Sequence, residues 1–166
     1  ALIDDRGTTL AEHTVPGPAL HDHLDRSEVA ATAWWAQLLE AAGKSVHVYT
    51  SPHLVRFHER IRLGTPAGGR LVDDDRLVAA LLETERVNEG QSITQFEITT
   101  AAAFKLFSEV KADYLLLETG MGGTYDASNV VKNPLGVIIT PVDYDHQHFL
   151  GNTITLIAGE KAGIFK

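Results

Sequence analysis

The chain has 166 residues, a hydrophobic fraction of 44% and no cysteine. Its net charge of −8 argues against a nucleic-acid backbone or an anionic membrane as a partner, because either would repel the chain. Without cysteine there is neither a disulfide framework nor a thiolate metal site, which fits a cytoplasmic protein. The length favours one domain, and no apolar run approaches the roughly 18 residues that span a bilayer.

The first readable elements are a helix and a strand. Residues 1–26 show no apolar period that defines an element, and a helix is expected from about Ser27 to Ala42, ending at Gly43. The run SVHVYT, residues 45–50, predicts a strand because it is rich in β-branched and aromatic side chains. A short extended segment, Glu59–Leu63, follows it.

The rest of the chain predicts three more helices and two buried strands. The helices are expected over Asp74–Asn88, over Gln95–Val110, and from Asn152 or Thr153 onward. Asp73 caps the first of these, and Thr94 with Glu97 forms a capping pair for the second. The strands are continuous apolar runs, the type that is buried on both faces: Tyr114–Glu118 and Leu135–Thr140.

Alternation of strands and helices predicts an α/β fold, with a mostly parallel sheet covered by helices on both faces. There is no internal repeat or low-complexity tract, so no linker or second domain is visible in the sequence.

The tripeptide Gly43-Lys44-Ser45 is the one fragment that could suggest a phosphate-binding loop. A P-loop needs the pattern GxxxxGK[ST] between a strand and a helix, and no glycine stands five residues before Gly43. The fragment also follows a helix and precedes a strand, which is the reverse context. We interpret it as a helix end with a solvated lysine.

A glycine-rich segment, ETGMGGTYDASNV (residues 118–130), follows a predicted strand and begins with Glu118. Ser51 and His146 also follow predicted strands, and the carboxyl ends of parallel strands share one edge of a sheet. A hydroxyl, a carboxylate and one imidazole suit Mg²⁺ or Mn²⁺ better than Zn²⁺. The alternative is that His146 is a hydrogen-bonded loop residue and Glu118 caps a helix.

Two further features allow more than one interpretation. Asp143, Asp145, His146 and His148 could suggest a metal-dependent hydrolase, but in an extended segment the acids and the histidines would point to opposite faces. Lys161 lies beside Glu160 in the last helix, and a lysine in this setting usually forms an ion pair at the surface. If Lys161 is instead buried near a metal, its charge must be neutralised, paired or removed by modification.

Four motifs in one order resemble the folylpolyglutamate synthase and dihydrofolate synthase family of the Mur ligase superfamily. They are YTSPHLVRFHERI (49–61), TQFEITTAAAF (94–104), ETGMGGTYDASNVV (118–131) and DHQHFLGNT with EKAGIFK (145–166). The similarity covers about Val29 to Lys166, which we assign to a partial Mur ligase central domain of the P-loop NTPase-like type. Residues 1–28 are a divergent N-terminal segment.

The resemblance implies a reaction and a set of roles. Such enzymes use ATP to phosphorylate a pterin-linked carboxylate of folate or dihydropteroate, and the amine of glutamate then attacks the acyl phosphate. Matched residue by residue, Ser51, Glu118 and His146 would hold Mg²⁺, with Mn²⁺ as a possible substitute. Lys161 matches a carbamylated lysine that assists the metal, so Lys161 and His146 are the catalytic candidates. Phe96 and Asp126 match positions that contact the pterin.

The chain also departs from the family pattern. The family has a GTNGKGS-type loop directly before its first helix, where this chain has HDHLDRSEV, residues 21–29. The family also continues beyond the position of Lys166. The sequence therefore predicts an incomplete or diverged ligase, inactive alone, with doubtful ATP binding. It also predicts self-association or a partner that supplies the missing segments. A non-catalytic pterin-binding or protein-interaction module is the main alternative.

Overall fold

The structure, a computed structural model, describes residues 2–3, 9–11 and 28–166. The chain divides into two compact units, Ala1–Glu118 and Thr119–Lys166, a division that the sequence did not reveal. The predicted start of the first helix, Ser27, lies outside the described residues. None of the described helices is long and apolar enough to cross a bilayer.

A four-stranded sheet forms the centre of the first unit. Its strands are β3 (Val46–Tyr49), β4 (Ile61–Leu63), β5 (Arg70–Leu71) and β6 (Tyr114–Leu117), in the order β5-β4-β3-β6. The β3–β6 pairing is parallel, whereas β3–β4 and β4–β5 are antiparallel, so the described sheet is mixed rather than mostly parallel. A separate antiparallel pair joins β1 (Leu2–Ile3) to β2 (Thr9–Ala11).

Helices cover both faces of this sheet, as the α/β pattern predicts. They are α1 (Glu28–Ala41), α2 (Asp74–Asn88) and α3 (Gln95–Glu109). Side chains alternate along β3, so Val46 and Val48 pack against α1 through Ala36 and Leu39. On the other face, Tyr49 joins a core cluster that includes residues of β4, α2 and α3.

Capping residues determine where α2 and α3 begin. The Asp73 side chain accepts a hydrogen bond from the Arg76 N–H at 2.8 Å. Thr94 and Glu97 form a reciprocal capping box, in which each side chain bonds to the backbone N–H of the other. Such caps satisfy amides that the helix itself leaves without a partner. The structure confirms both predicted caps.

The second unit contains two helices, α4 (Gln147–Leu150) and α5 (Ile154–Ala162). Thr153 caps α5 by accepting the Leu156 N–H at 3.2 Å, close to the predicted start. The predicted strand Leu135–Thr140 is wrong, because this segment forms no strand. A strand of this type needs paired neighbours and apolar cover on both faces. Here the side chains of Leu135 and Ile138 are 67% and 62% exposed.

An ion pair between α1 and β4 joins two layers of the first unit. Nη2 of Arg62 donates to Oε2 of Glu40 at 2.8 Å, Nη1 lies 2.8 Å from Oε1 in the same ion pair, and the Gly69 N–H donates to Oε1 at 2.9 Å. The hydrogen bond from Arg62 lowers the pKa of Glu40 and outweighs the opposing effect of partial burial. Glu40 therefore contributes stability above the pKa of the unfolded chain, and that contribution is lost as the pH falls through the lower, folded-state pKa.

We therefore expect Glu40→Gln to lower the free energy of unfolding by about 1–2 kcal/mol at pH 7. The difference from the unsubstituted chain should shrink as the pH falls below the pKa of the unfolded chain and through the lower pKa of Glu40 in the folded chain. Urea unfolding at pH 7 and pH 3 measures both effects. Glu85→Gln, at an exposed position of α2, is the control. A Glu40→Gln deficit that does not depend on pH would contradict the assignment.

Candidate functional site

The backbone of Gly43 and Lys44 and the side chain of Ser45 have structural roles. Gly43 has φ +75°, and the N–H groups of Gly43 and Lys44 bond to the carbonyls of Glu40 and Leu39, which is the hydrogen-bond pattern of a Schellman helix end. The Ser45 N–H and hydroxyl both donate to the Asp113 carboxylate, at 2.8 and 2.9 Å. These contacts occupy the groups that a phosphate cradle would need.

Ser51 and Glu118 come together at the carboxyl ends of β3 and β6. The parallel register pairs Tyr49 with Leu117, and the Glu118 N–H donates to the Tyr49 carbonyl at 3.0 Å. The Ser51 N–H then donates to Oε2 of Glu118 at 3.3 Å. The Glu118 side chain is 9% exposed. Two residues 67 positions apart in the chain thus form one contact at the end of a strand pair.

The chemistry of these two residues fits a hard divalent cation. A carboxylate and a hydroxyl are oxygen donors of the kind that Mg²⁺ and Mn²⁺ accept, together with water or substrate oxygens. Among residues 2–3, 9–11 and 28–166, no three His, Asp or Glu side chains are grouped closely enough to hold a metal ion. A site built on Ser51 and Glu118 would therefore complete its coordination with other groups.

The segment after Ser51 is held by Glu59. Its carboxylate accepts the backbone N–H groups of Leu54, Val55 and Arg56, at 2.9, 3.2 and 2.9 Å. Glu59 lies in a 3₁₀ helix, Phe57–Arg60, that leads directly into β4. Sequence reasoning missed this role. The signal was an acidic residue three positions after Arg56, the position from which a glutamate side chain accepts the N–H of the residue that begins the helix.

His146 lies in the second unit, as the residue before α4. Its backbone is left-handed, with φ +49°, and its Nε2 atom is 3.4 Å from an Asp145 carboxylate oxygen. Its role as a third metal ligand stays a prediction. Asp143 and Asp145 each accept the N–H of the next residue. The four acids and histidines of residues 143–148 therefore form no three-ligand group of the kind that the hydrolase interpretation requires.

Asp126 organises the glycine-rich loop of the second unit. Its Oδ2 atom accepts the N–H groups of Gly120 and Met121, at 3.1 and 2.9 Å. Its Oδ1 atom accepts the N–H and hydroxyl of Ser128, at 2.9 and 2.6 Å. One carboxylate therefore holds both ends of the turn. Gly122, inside that turn, has φ +65°, a conformation that glycine adopts without strain.

The same loop packs against the end of α5. The Thr124 N–H donates to the Glu160 carbonyl at 3.1 Å, and the Asn129 amide donates to the carbonyls of Thr124 and Gly163, both at 3.2 Å. A Cβ atom on Gly123 would lie 2.6 Å from the Glu160 carbonyl oxygen, so only glycine allows this approach. The loop and the helix turn that carries Lys161 are thereby joined.

Two more predicted residues have defined surroundings. Phe96, in the first turn of α3, is partly buried and packs against the core cluster, with its ring centroid 6.1 Å from that of Tyr49. Lys161 is partly buried in the last turn of α5, and no ion pair between Glu160 and Lys161 forms in the described part of the chain. The surface ion pair, one of the two interpretations of Lys161, is therefore not observed.

No model of a known protein family matches the chain. The dihydrofolate synthase/folylpolyglutamate synthase of Bacillus subtilis is 44% identical over 155 residues, covering 89% of this chain and 35% of that protein. The protein of the same name from Escherichia coli is 40% identical over 129 residues, covering 78% of this chain and 29% of that protein.

Solved structures give the same result. E. coli FolC in complex with DHPP and ADP matches with a TM-score of 0.73 and 37% identity, covering 79% of this chain and 30% of that one. A bifunctional folylpolyglutamate synthase/dihydrofolate synthase with Mn, AMPPNP and L-glutamate bound matches with a TM-score of 0.69 and 38% identity, covering 77% and 30%. The chain spans about one third of the length of the relatives that it matches. Over most of its length it is thus homologous to part of the enzymes of the folylpolyglutamate synthase and dihydrofolate synthase family.

Proposed function

We propose that this chain provides the metal-binding and pterin-binding part of an ATP-dependent ligase that adds glutamate to folate or dihydropteroate. The observation that carries the proposal is the contact between Ser51 and Glu118 at the carboxyl ends of β3 and β6. It occurs in a chain that is 44% identical to a dihydrofolate synthase/folylpolyglutamate synthase over 89% of its length.

Ser51, Glu118 and His146 are the proposed ligands of Mg²⁺ or Mn²⁺. A bound divalent cation would neutralise charge on the phosphoryl group that passes from ATP to the substrate carboxylate. In this proposal the buried Glu118 supplies the negative charge of the site, and Ser51, whose N–H contacts Glu118, supplies its hydroxyl as a neutral ligand. Burial strengthens the attraction between a carboxylate and a cation because the local dielectric constant is low.

Phe96 and Asp126 are the proposed pterin contacts. Phe96 offers one aromatic face near the start of α3, and a flat heterocycle stacks well on such a face. Asp126 already accepts four hydrogen bonds from its own loop. We therefore assign it two tasks, to shape the glycine-rich loop and to present an acceptor to the substrate.

Lys161 is the proposed carbamylated residue. Carbamylation would replace the positive charge of the ammonium group with a negative, carboxylate-like group that assists the metal. Support for a fixed position comes from the packing of Gly123 and Thr124 on the carbonyl of Glu160, its neighbour. Mass spectrometry of protein kept in bicarbonate buffer tests the modification directly.

A second candidate is a pterin-binding module without catalysis. The observation that favours it is the structural use of Gly43, Lys44 and Ser45, together with the absence of GxxxxGK[ST] from the printed sequence. Phosphoryl transfer depends mainly on positioning the phosphates and neutralising their charge. We therefore expect the 166-residue chain alone to form no glutamylated product above the level of Glu118→Ala.

Calorimetry with each ligand separately distinguishes the two candidates. Folate, dihydropteroate and ATP with Mg²⁺ are titrated into the chain and into Phe96→Ala. The ligase proposal predicts pterin binding that weakens about tenfold or more in Phe96→Ala, because base-like rings gain about 1–3 kcal/mol from aromatic stacking. ATP binding would favour a catalytic role, and pterin binding without ATP would favour the module. The absence of any pterin binding would contradict both.

We also propose that the protein is cytoplasmic and that it associates with itself. Sedimentation velocity of the purified 166-residue chain tests self-association. A monomer at all concentrations would contradict it.

A further inference from the structure

Residues 54–56 follow Ser51 and have almost no side-chain burial to hold them in place. The side chains of Leu54 and Val55 are 76% and 81% exposed, and Arg56 is also exposed. Hydrophobic packing therefore contributes little to the conformation of this turn. The Glu59 carboxylate instead accepts all three backbone N–H groups of the turn.

Other contacts close the segment at its base. The Thr50 N–H donates to the Arg60 carbonyl at 3.0 Å, next to the β3–β4 pairing. The Arg60 side chain donates to Nδ1 of His53 at 3.0 Å and lies over the Phe57 ring, 5.1 Å from its centroid. Ser51 therefore stands between two residues, Thr50 and His53, that are both tied to Arg60.

We propose that Glu59 is a positioning residue that fixes the turn after Ser51 and so keeps Ser51 beside Glu118, where the two residues can hold a divalent cation. The inference rests on the proposed function, because it assumes that Ser51 and Glu118 hold the metal. Glu59 itself is not a ligand. Its two oxygens are directed at the amides of Leu54, Val55 and Arg56.

Three backbone amides of the turn share one acceptor group, the Glu59 carboxylate. Backbone hydrogen bonds to Arg56, Leu54 and Val55 lower the pKa of Glu59, so the acceptor is the ionised carboxylate at neutral pH. Hydrogen bonds to an ionised acceptor are stronger than neutral ones. In Glu59→Ala the three N–H groups turn to water, and the turn is held only at its base, through the contacts of Arg60 with Thr50 and His53. Ser51 then samples positions away from Glu118.

The experiment compares Glu59→Ala and Glu59→Gln with Glu97→Ala as the matched control. Like Glu59, Glu97 accepts the N–H of the residue that begins its helix, but that helix is α3, and its hydrogen bonds are to Thr94 rather than to the Ser51 turn. Amide hydrogen exchange reports the order of residues 51–56. Electron paramagnetic resonance of free Mn²⁺ reports the affinity for the metal, and thermal unfolding reports global stability.

We expect Glu59→Ala to speed exchange at residues 51–56 and to weaken Mn²⁺ binding about tenfold or more, the range seen when a residue that orients a ligand is removed. Glu59→Gln keeps one acceptor oxygen and should recover part of both. Glu97→Ala should reduce thermal stability and leave Mn²⁺ binding unchanged.

Faster exchange with unchanged Mn²⁺ affinity would overturn the proposal, and so would unchanged exchange. Equal loss of affinity in Glu97→Ala would show a purely structural effect and would overturn it too. If the unsubstituted chain binds no Mn²⁺, the proposed metal site itself fails, while exchange at Ser51 still decides whether Glu59 holds this turn.

Discussion

Gly64→Ala is expected to lower the free energy of unfolding of the Ala1–Glu118 unit by about 3 kcal/mol, the upper part of the usual range for overpacking. A Cβ atom at Gly64 would lie 2.4 Å from the backbone N and C atoms of Val46, in the central strand β3. Backbone atoms inside a paired strand cannot move aside as a flexible side chain can. The Gly64 N–H also donates to Nδ1 of the buried His47 at 2.9 Å, so any shift disturbs that bond as well.

Hydrogen exchange of the β3 amides in increasing urea measures this effect on the first unit alone. Gly136→Ala is the control, because a Cβ atom there meets nothing within 4 Å and no left-handed conformation is required. We expect the control to change stability by about 0.5 kcal/mol or less. If both substitutions behaved alike, the close approach of Gly64 to Val46 would be wrong.

The elements that could be predicted are those whose signals are local in the sequence. Asp73 and the Thr94–Glu97 pair satisfy amides within three residues of themselves, so the sequence alone places the starts of α2 and α3. The strand β6 was also predictable, since Tyr114–Leu117 is a continuous apolar run. Homology to the ligase family, inferred from four motifs, is supported by the relatives at 40–44% identity.

What could not be predicted depends on distant partners. The direction of pairing in β4 and β5 is set by the contacts of each strand with its neighbour, and three- and two-residue strands carry almost no pattern of their own. The apolar run Leu135–Thr140 has the composition of a buried strand, but composition does not show whether a paired neighbour exists. The same limit hides the division of the chain after Glu118.

In the candidate site, too, one part could be predicted from the sequence and another part could not. The rule that parallel strands share one carboxyl edge anticipated the contact between Ser51 and Glu118. It did not reveal that Glu59 and Asp126 each gather several backbone amides, because an exposed acid and a hydrogen-bond acceptor look identical in a sequence. Such loop acceptors become visible only when the turn that they close is known.

The proposed metal site depends most strongly on the carboxylate of Glu118. We expect Glu118→Ala to weaken Mn²⁺ binding about 100-fold or more, equivalent to about 2.7 kcal/mol, because it removes the carboxylate of the proposed ligand set. Asp113→Ala is a closely matched control. Asp113 stands at the opposite end of the same strand pair and accepts the Ser45 N–H, as Glu118 accepts the Ser51 N–H.

The two variants therefore lose the same charge and the same type of contact, at opposite ends of β3 and β6. Mn²⁺ titration followed by electron paramagnetic resonance should show a loss of binding in Glu118→Ala and unchanged binding in Asp113→Ala. Equal weakening in both would mean that the metal responds to overall charge or to stability rather than to this end of the sheet. Because the carboxyl ends of β3 and β6 are where Ser51 and Glu118 meet, binding that depends on Glu118 but not on Asp113 would assign the cation to that edge.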